Sequence, residues 1–367
     1  MKAVIGGNPG QYRLVDGLDT PRPGPGTMLC RVHAVALNPA DAKMADFAMT
    51  PGAIGGADFA GTVVEVGDGV TRFRAGDRVF ALAFGLNPAN SAMGAFAEYS
   101  LATEHLTCKI AEGMSFEESC SMGVAVATAG MALFHELRLP LPLPLPAPTP
   151  GGSTRGAEER VGFSTFPVLV SGGATCTGTM AIQFLKCAGL TPIVTCSPSN
   201  FALCRSYGAA ACFDYNLPGC GDSIRMYTDD KLAHVLDCVT DSTTMKMCYK
   251  AIGPAGGTYV ALETFPTTVQ YTRRDVRASW ILGSSLFGHA VEFSGAYGRP
   301  ASRAHRDFAA RLFPLVEGLL DAGLIKNHPI DVRGGGLGAL AGGIEELRKG
   351  KVRAKKLVFP LVGVEGQ

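Results

Sequence analysis

The residues best placed by type and spacing to do chemistry lie near the middle of the chain, in the stretch VLVSGGATCTGTMAIQ from Val168 to Gln183. An apolar run, Val168-Leu169-Val170, enters the glycines Gly172-Gly173, and beyond Gly178 the apolar spacing turns helical through Met180, Ile182, Phe184 and Leu185. Strand, tight turn and helix in that order aim the helix's unpaired N–H groups and its positive dipole end at the strand's carboxyl end, which suits a phosphate group. Gly173, Ala174, Thr175, Cys176 and Thr177 would face a pyrophosphate there. The G-x-G-x-x-G fingerprint is degenerate, because Gly173 and Gly178 fit it while Thr175 or Cys176 stands where the middle glycine would. An ordinary glycine turn in a doubly wound sheet satisfies the same pattern.

The next strand sharpens the reading. Pro192-Ile193-Val194-Thr195 follows at the βαβ distance of roughly 20 residues and ends in Cys196-Ser197-Pro198-Ser199-Asn200, with no acid at its end. An acid there would bind the ribose 2′-hydroxyl of NAD, whereas the hydroxyl and amide donors of Ser197, Ser199 and Asn200 leave room for a 2′-phosphate, favouring NADPH. The same residues favour helix N-caps, and one hydroxyl can serve both uses. Tyr215, just after the run Ala211-Cys212-Phe213-Asp214, is a further candidate near the ribose phosphate or an ordinary strand residue.

These residues need a scaffold, and the rest of the chain supplies one. Met28, Cys30, Val32, Ala34 and Ala36 alternate as in a half-buried strand. Glycine-punctuated segments follow at Gly55–Gly67, Gly76–Phe80 and Gly94–Tyr99, the pattern of a compact β-barrel. Ser115 and Glu118 form a capping box opening a helical crossover through Leu133. Val235–Val239 and Gly257–Leu262 continue the parallel sheet, an amphipathic helix follows Arg299-Pro300 and runs to about Ala322, and Lys355–Phe359 reads as a final strand returning to the barrel. The fold class is therefore α/β. A barrel domain spans residues 1–125 and is completed by 305–367, and a nucleotide domain spans 126–304 with a proline-rich surface insertion, beginning LPLPLPLPAPTP, at 139–160.

Composition excludes several other classes. The 367 residues are 47% hydrophobic and 18% charged, enough for a large core and two domains. A formal net charge of +1 provides no electrostatic footprint for nucleic acid or an anionic membrane. No stretch of about 18 apolar residues spans a bilayer, and a cytoplasmic location is expected. The 11 cysteines include no C-x-x-C pair, and the even spacing of Cys196, Cys204, Cys212 and Cys220 is interrupted by Pro198 and Gly208 and carries no motif.

The arrangement resembles the medium-chain dehydrogenase/reductase superfamily, with a GroES-like barrel and a Rossmann domain. The resemblance is carried by GADFAGTVVEVGDGVTRFRAGDRVF from Gly56 to Phe80 and by VALNPADAKM from Val35 to Met44. Zinc-dependent members have a Gly-His-Glu in the first segment and a Cys near the second; here Ala57-Asp58 replace His-Glu, Ala36 to Asp41 holds no Cys, and no Cys occurs from Arg78 to Glu104. The resemblance thus implies no metal and, without a Lewis acid, reduction of a polarised C=C bond. Asn38-Pro39-Ala40-Asp41-Ala42-Lys43 matches the quinone oxidoreductase and enoyl reductase branch. Ala127-Thr128-Ala129-Gly130, Thr195 to Asn200, Phe213-Asp214-Tyr215 and Ala296-Tyr297-Gly298-Arg299-Pro300 resemble the trans-acting enoyl reductases of fungal polyketide synthases.

That resemblance implies an α,β-unsaturated acyl thioester on an acyl carrier protein domain as substrate and partner, NADPH as cofactor, and a monomeric enzyme. It places Lys43 and Thr128 in catalytic positions, against the plainer readings of a solvated lysine and a helix-interior threonine. Asp41, Lys43, Pro198, Leu262, Val352 and Arg353 join the cofactor set. Ala129, Gly130, Leu133 and Glu136, with Leu282, Gly283, Ser284, Ser285 and Leu286, are expected at the substrate, although apolar residues in the last segment more often mean core than pocket. A quinone oxidoreductase acting on free small molecules and a non-catalytic nucleotide-binding protein are the alternatives.

Overall fold

The structure is a computed structural model and describes residues 1–142 and 165–361. In chain order, β1 (Ala3–Gly6) and β2 (Tyr12–Val15) form an antiparallel hairpin. Next come β3 (Thr27–Ala36), α1 (Pro39–Phe47), β4 (Asp58–Val66), β5 (Arg78–Leu82), β6 (Tyr99–Thr103) and β7 (Thr107–Lys109). Strand β3 pairs antiparallel with β4 and β6, and β4 passes the sheet on to β5 and β7. Their inward residues, among them Met28, Phe59 and Val79, close one apolar core, as the alternation of strand residues requires, and Phe96 from the segment before β6 packs into it. In the segment expected as a strand at Gly94–Tyr99, Ala97 makes an isolated antiparallel bridge to Ala3 and the regular strand begins only at Tyr99.

The Ser115–Glu118 capping box forms as the sequence predicts, but it opens only the short α2 (Phe116–Ser119). A separate helix, α3 (Gly123–Gly130), follows and passes into a π-turn at Met131–Glu136. The chain divides into two compact units: residues 1–127, 283–317 and 327–367 make the first, and 128–282 with 318–326 the second. The return to the first unit thus begins at Gly283, where the sequence pattern placed it at 305. The expected proline-rich insertion lies, beyond Pro142, outside the described residues.

The second unit is built on one parallel sheet. Its elements are β8 (Pro167–Ser171), α4 (Cys176–Cys187), β9 (Thr191–Thr195), α5 (Phe201–Tyr207), β10 (Ala211–Phe213), α6 (Cys220–Tyr227), β11 (His234–Asp237), α7 (Ser242–Ala251), β12 (Gly257–Ala261), α8 (Thr267–Gln270) and β13 (Val276–Trp280). The strand order is β10-β9-β8-β11-β12-β13, so the order reverses beside β8, the place where open α/β sheets receive ligands. Strand β8 is buried on both faces, which its unbroken Val168-Leu169-Val170 run anticipates. The sixth strand, β13, is an edge strand of sequence Val-Arg-Ala-Ser-Trp with one buried residue, and its polar composition hides it from apolar patterning. Beyond it come α9 (Arg303–Asp321), β14 (Ile330–Val332), α10 (Leu340–Arg348) and β15 (Lys356–Pro360). Strand β15 pairs antiparallel with β3, Val358 opposite Ala36, so the chain's last strand belongs to the barrel as expected. Among the described residues no helix is long and apolar enough to cross a membrane.

Candidate functional site

In the second unit the glycine turn connects β8 to α4. Gly172 sits at φ +79°, a left-handed turn residue, and the Gly172 and Gly173 amides both bond the Thr195 carbonyl of β9. A Cβ on Gly178 would lie 2.4 Å from the Gly172 carbonyl oxygen, so only glycine lets α4 start this close to the turn. Thr175 is the N-cap: its hydroxyl accepts the Gly178 amide at 2.9 Å and donates to the Gly172 carbonyl at 2.9 Å. The Thr175 side chain therefore builds the turn, and the first-turn backbone, with Ala174, Cys176 and Thr177, is what remains to meet a phosphate.

At the end of β9, Ser197 is half-buried and Pro198 and Ser199 are exposed. Neither Ser197 nor Asn200 makes a side-chain cap, so the capping alternative is not realised. The Ser197 and Tyr215 hydroxyls instead lie 3.0 Å apart, bringing together two residues that the sequence could only name separately. Asp214, beside Tyr215, accepts the Asn216 amide at 2.9 Å, so its carboxylate is held within its own turn. Behind the loop, the Cys204 thiol donates to the Cys196 sulfur at 3.6 Å and Cys212 lies alongside. Three of the four evenly spaced cysteines thus come together, while Cys220 packs in the apolar core under the parallel sheet.

At the end of β11, Asp237 is fully buried and accepts the Tyr259 hydroxyl at 2.8 Å and the Val239 amide at 3.0 Å. Thr240, held at φ +60°, accepts the amide of Leu262 at 3.2 Å, which fixes Leu262 at the carboxyl edge of the sheet.

In the first unit, Asn38 caps α1, and its amide bonds the Asp41 carboxylate at 2.7 Å. Asp41 is 3% exposed, and its side chain closes this capping box. Burial pushes its pKa up to about 7, the neighbouring Asp58 adding to the rise. Lys43, two residues on, is exposed on α1. Beneath them Asp58, Asn38 and Lys356 form a buried ionic cluster: Lys356 Nζ lies 2.5 Å from the Asp58 carboxylate and 2.7 Å from Asn38 Oδ1. Burial, and the Lys356 charge, push His328 down to about 4 and keep it neutral. No local pattern marks Asp58 and Lys356 as partners, since 298 residues separate them.

The remaining expectations divide. Thr128, on α3, is half-buried and at the start of the second unit. Ala129, Gly130 and Leu133 are buried, as are Ser285 and Leu286. Glu136 is tied within its own unit, its carboxylate accepting the Ser279 hydroxyl at 3.2 Å and its carbonyl the Arg277 guanidinium at 3.1 Å. Leu282 and Gly283 are half-buried, and the Ser284 hydroxyl is buried without a hydrogen-bond partner, the kind of atom a ligand's polar group would satisfy. Val352 packs at the margin of the barrel core, and Arg353 is exposed.

A zinc ion does not fit the barrel position where zinc-dependent members hold one. Both Asp58 oxygens are already engaged, by Val124 on one side and by Asn38 and Lys356 on the other, and a lysine ammonium stands where a cation would have to sit.

Comparison with known proteins agrees with the two-unit architecture. Residues 24–112 match the family model of the alcohol dehydrogenase GroES-like domain, and 176–294 match that described as zinc-binding dehydrogenase. A trans-enoyl reductase of Gibberella fujikuroi is 55% identical over 98% of this chain and 99% of its own length. One from a Penicillium species is 53% identical over 99% of each chain. Among solved structures, an alcohol dehydrogenase superfamily protein from Novosphingobium aromaticivorans superposes with a TM-score of 0.76 at 20% identity, covering 98% of this chain and 99% of that one. The CurK enoyl reductase does so at 0.73 and 16% identity, covering 98% of each, and both show a shared fold. The chain is therefore a member of the medium-chain dehydrogenase/reductase superfamily and, within it, of the trans-enoyl reductases.

Proposed function

We propose that the protein is an enoyl reductase that uses NADPH to reduce the α,β-double bond of a polyketide acyl thioester presented by a separate acyl carrier protein domain. The observation that carries the reading is the full-length identity of 53–55% to proteins named trans-enoyl reductases. The glycine turn at α4 and the acid-free end of β9 support a phosphorylated dinucleotide. NADPH, when bound, supplies the hydride for Cβ of the alkene.

The chain's own residues do the rest. Backbone groups at the start of α4 hold the pyrophosphate, and the Ser197 and Tyr215 hydroxyls receive the 2′-phosphate. Leu262, fixed through Thr240, gives the nicotinamide side an apolar rest. Lys43 and Thr128 offer donors to the nicotinamide ribose and to the thioester oxygen as negative charge builds on it, and the proton for Cα comes from solvent. No step requires a Lewis acid, in keeping with the cation already standing beside Asp58.

The test is NADPH oxidation with crotonyl or α-methylcrotonyl pantetheine, run beside a simple quinone and beside NADH. Thioester-dependent oxidation with NADPH is the expected result. Turnover of the quinone without the thioester would replace this reading with a quinone oxidoreductase, and nucleotide binding without any hydride transfer would leave a binding protein.

A further inference from the structure

One fully buried carboxylate meets the starts of two helices. Asp58 opens β4, and its Oδ1 accepts the amide of Val124 at 2.7 Å, in the first turn of α3. Its Oδ2 accepts the side-chain amide of Asn38, the N-cap of α1, at 2.9 Å. The Lys356 ammonium closes the group by donating to both Asp58 and Asn38. Asn38, Asp58 and Lys356 are each at most 4% exposed, and no oxygen or nitrogen in the trio is left unpaired among the described residues.

Stability alone does not explain this arrangement. Taking an ammonium and a carboxylate out of water costs several kcal/mol per ion, and well-packed apolar residues of the same volume are often as stabilising. A carboxylate does what they cannot: its directed acceptors fix the position and axial register of the peptide groups that it holds. Lys43 follows Asn38 on the short helix α1, and Thr128 follows Val124 by one turn on α3.

We infer that Asp58, locked by Lys356, is a positioning residue for the reaction: it anchors the starts of α1 and α3 and so sets where Lys43 is presented. The inference rests on the functional reading above for the role of Lys43. It extends that reading to residues that touch neither substrate nor cofactor.

The experiment compares Asp58→Asn with Lys356→Met, and Asp58→Ala with Lys356→Met, against the wild type. Removing the ammonium together with the carboxylate avoids leaving a buried charge alone. The alanine variant removes both acceptor oxygens and so both helix tethers, whereas the asparagine variant keeps an acceptor for Val124 and an amide that can still pair with a flipped Asn38 side chain, so its effect should be the smaller of the two.

Hydrogen exchange should quicken in peptides covering residues 38–47 and 123–130 and stay unchanged in the other barrel strands. With NADPH and crotonyl pantetheine, kcat should fall about 100-fold, the scale of a small misplacement of a catalytic group, while KM stays near the wild-type value. Placed in a Lys43→Met, Thr128→Val background, which lacks both donors carried by the anchored helices, the same change should lower kcat no further, because the anchor and the donors act as a unit. Unchanged exchange in both segments would overturn the inference. So would exchange quickened evenly across the barrel, or a loss of kcat equally large with and without the Lys43 and Thr128 donors. A wild-type enzyme that ignores the thioester would defeat the functional reading alone, and the exchange pattern would still decide whether Asp58 holds the two helix starts.

Discussion

Two polar groups, one in each unit, serve opposite ends. In the first, Asn38, Asp41, Asp58 and Lys356 are buried and bonded to one another or to helix backbones. In the second, the hydroxyls of Ser197 and Tyr215 stand at a strand end, cap no helix, and pair with each other. Charges in a low-dielectric interior hold a scaffold in one geometry, because any departure leaves a charge without a partner. Neutral hydroxyls at the surface cost little to leave open and remain available to a phosphate. The contrast teaches that burial, more than residue type, decides whether a polar group builds a site or serves in it.

The largest effect that would test this contrast is on stability. Asp58→Ala leaves the Lys356 ammonium buried without its partner and should cost about 3–5 kcal/mol. Chemical denaturation should show that loss, and adding Lys356→Met to the same chain should recover part of it. A loss under about 1 kcal/mol would mean that the cluster is wetter and less binding than its geometry.

A smaller effect concerns pH. Burial raises Asp41 from 3.8 to about 7. The folded protein therefore keeps a proton that the unfolded chain releases between those values, so this group's stabilisation is complete below pH 4 and is lost as pH rises through about 7. Asp58 and Lys356 both face it, pulling its pKa in opposite directions. Asp41→Asn keeps an acceptor for the Asn38 amide and removes the titration. Its unfolding free energy should vary less between pH 4 and 7 than that of the wild type, and parallel profiles would contradict the buried carboxyl.

The smallest effect belongs to the second unit and should leave stability alone. Ser197→Ala with Tyr215→Phe removes two surface hydroxyls, so the melting temperature should hardly move. A hydrogen bond to a charged group is worth about 1.5–3 kcal/mol, so NADPH should bind at least about tenfold more weakly in a fluorescence titration, with NADH unaffected. An equal loss for both nucleotides would place these hydroxyls away from the 2′-phosphate.

Local chemistry makes much of this molecule legible in its sequence. The β8 strand, its turn and α4 are written in consecutive residues, as is the Ser115–Glu118 capping box. Other features escape for physical reasons. Strand β13 is a polar edge, and the buried state of Ala129, Leu133 and Leu286 depends on what packs over them, which helical spacing does not reveal. The cysteine convergence at Cys196 and Cys204 needs the turn of α5 back onto β9.

By itself the sequence determined the two folds, the glycine turn before α4, the missing acid at the end of β9 and the replacement of His-Glu by Ala57-Asp58, since each is a property of neighbouring residues. Only the tertiary structure decided that Asp41 is a buried cap, that Ser197 meets Tyr215, and that Asp58 meets Lys356 across 298 residues. Those three facts depend on long-range closure of the sheets, which brings distant side chains within hydrogen-bonding distance and takes some of them out of water.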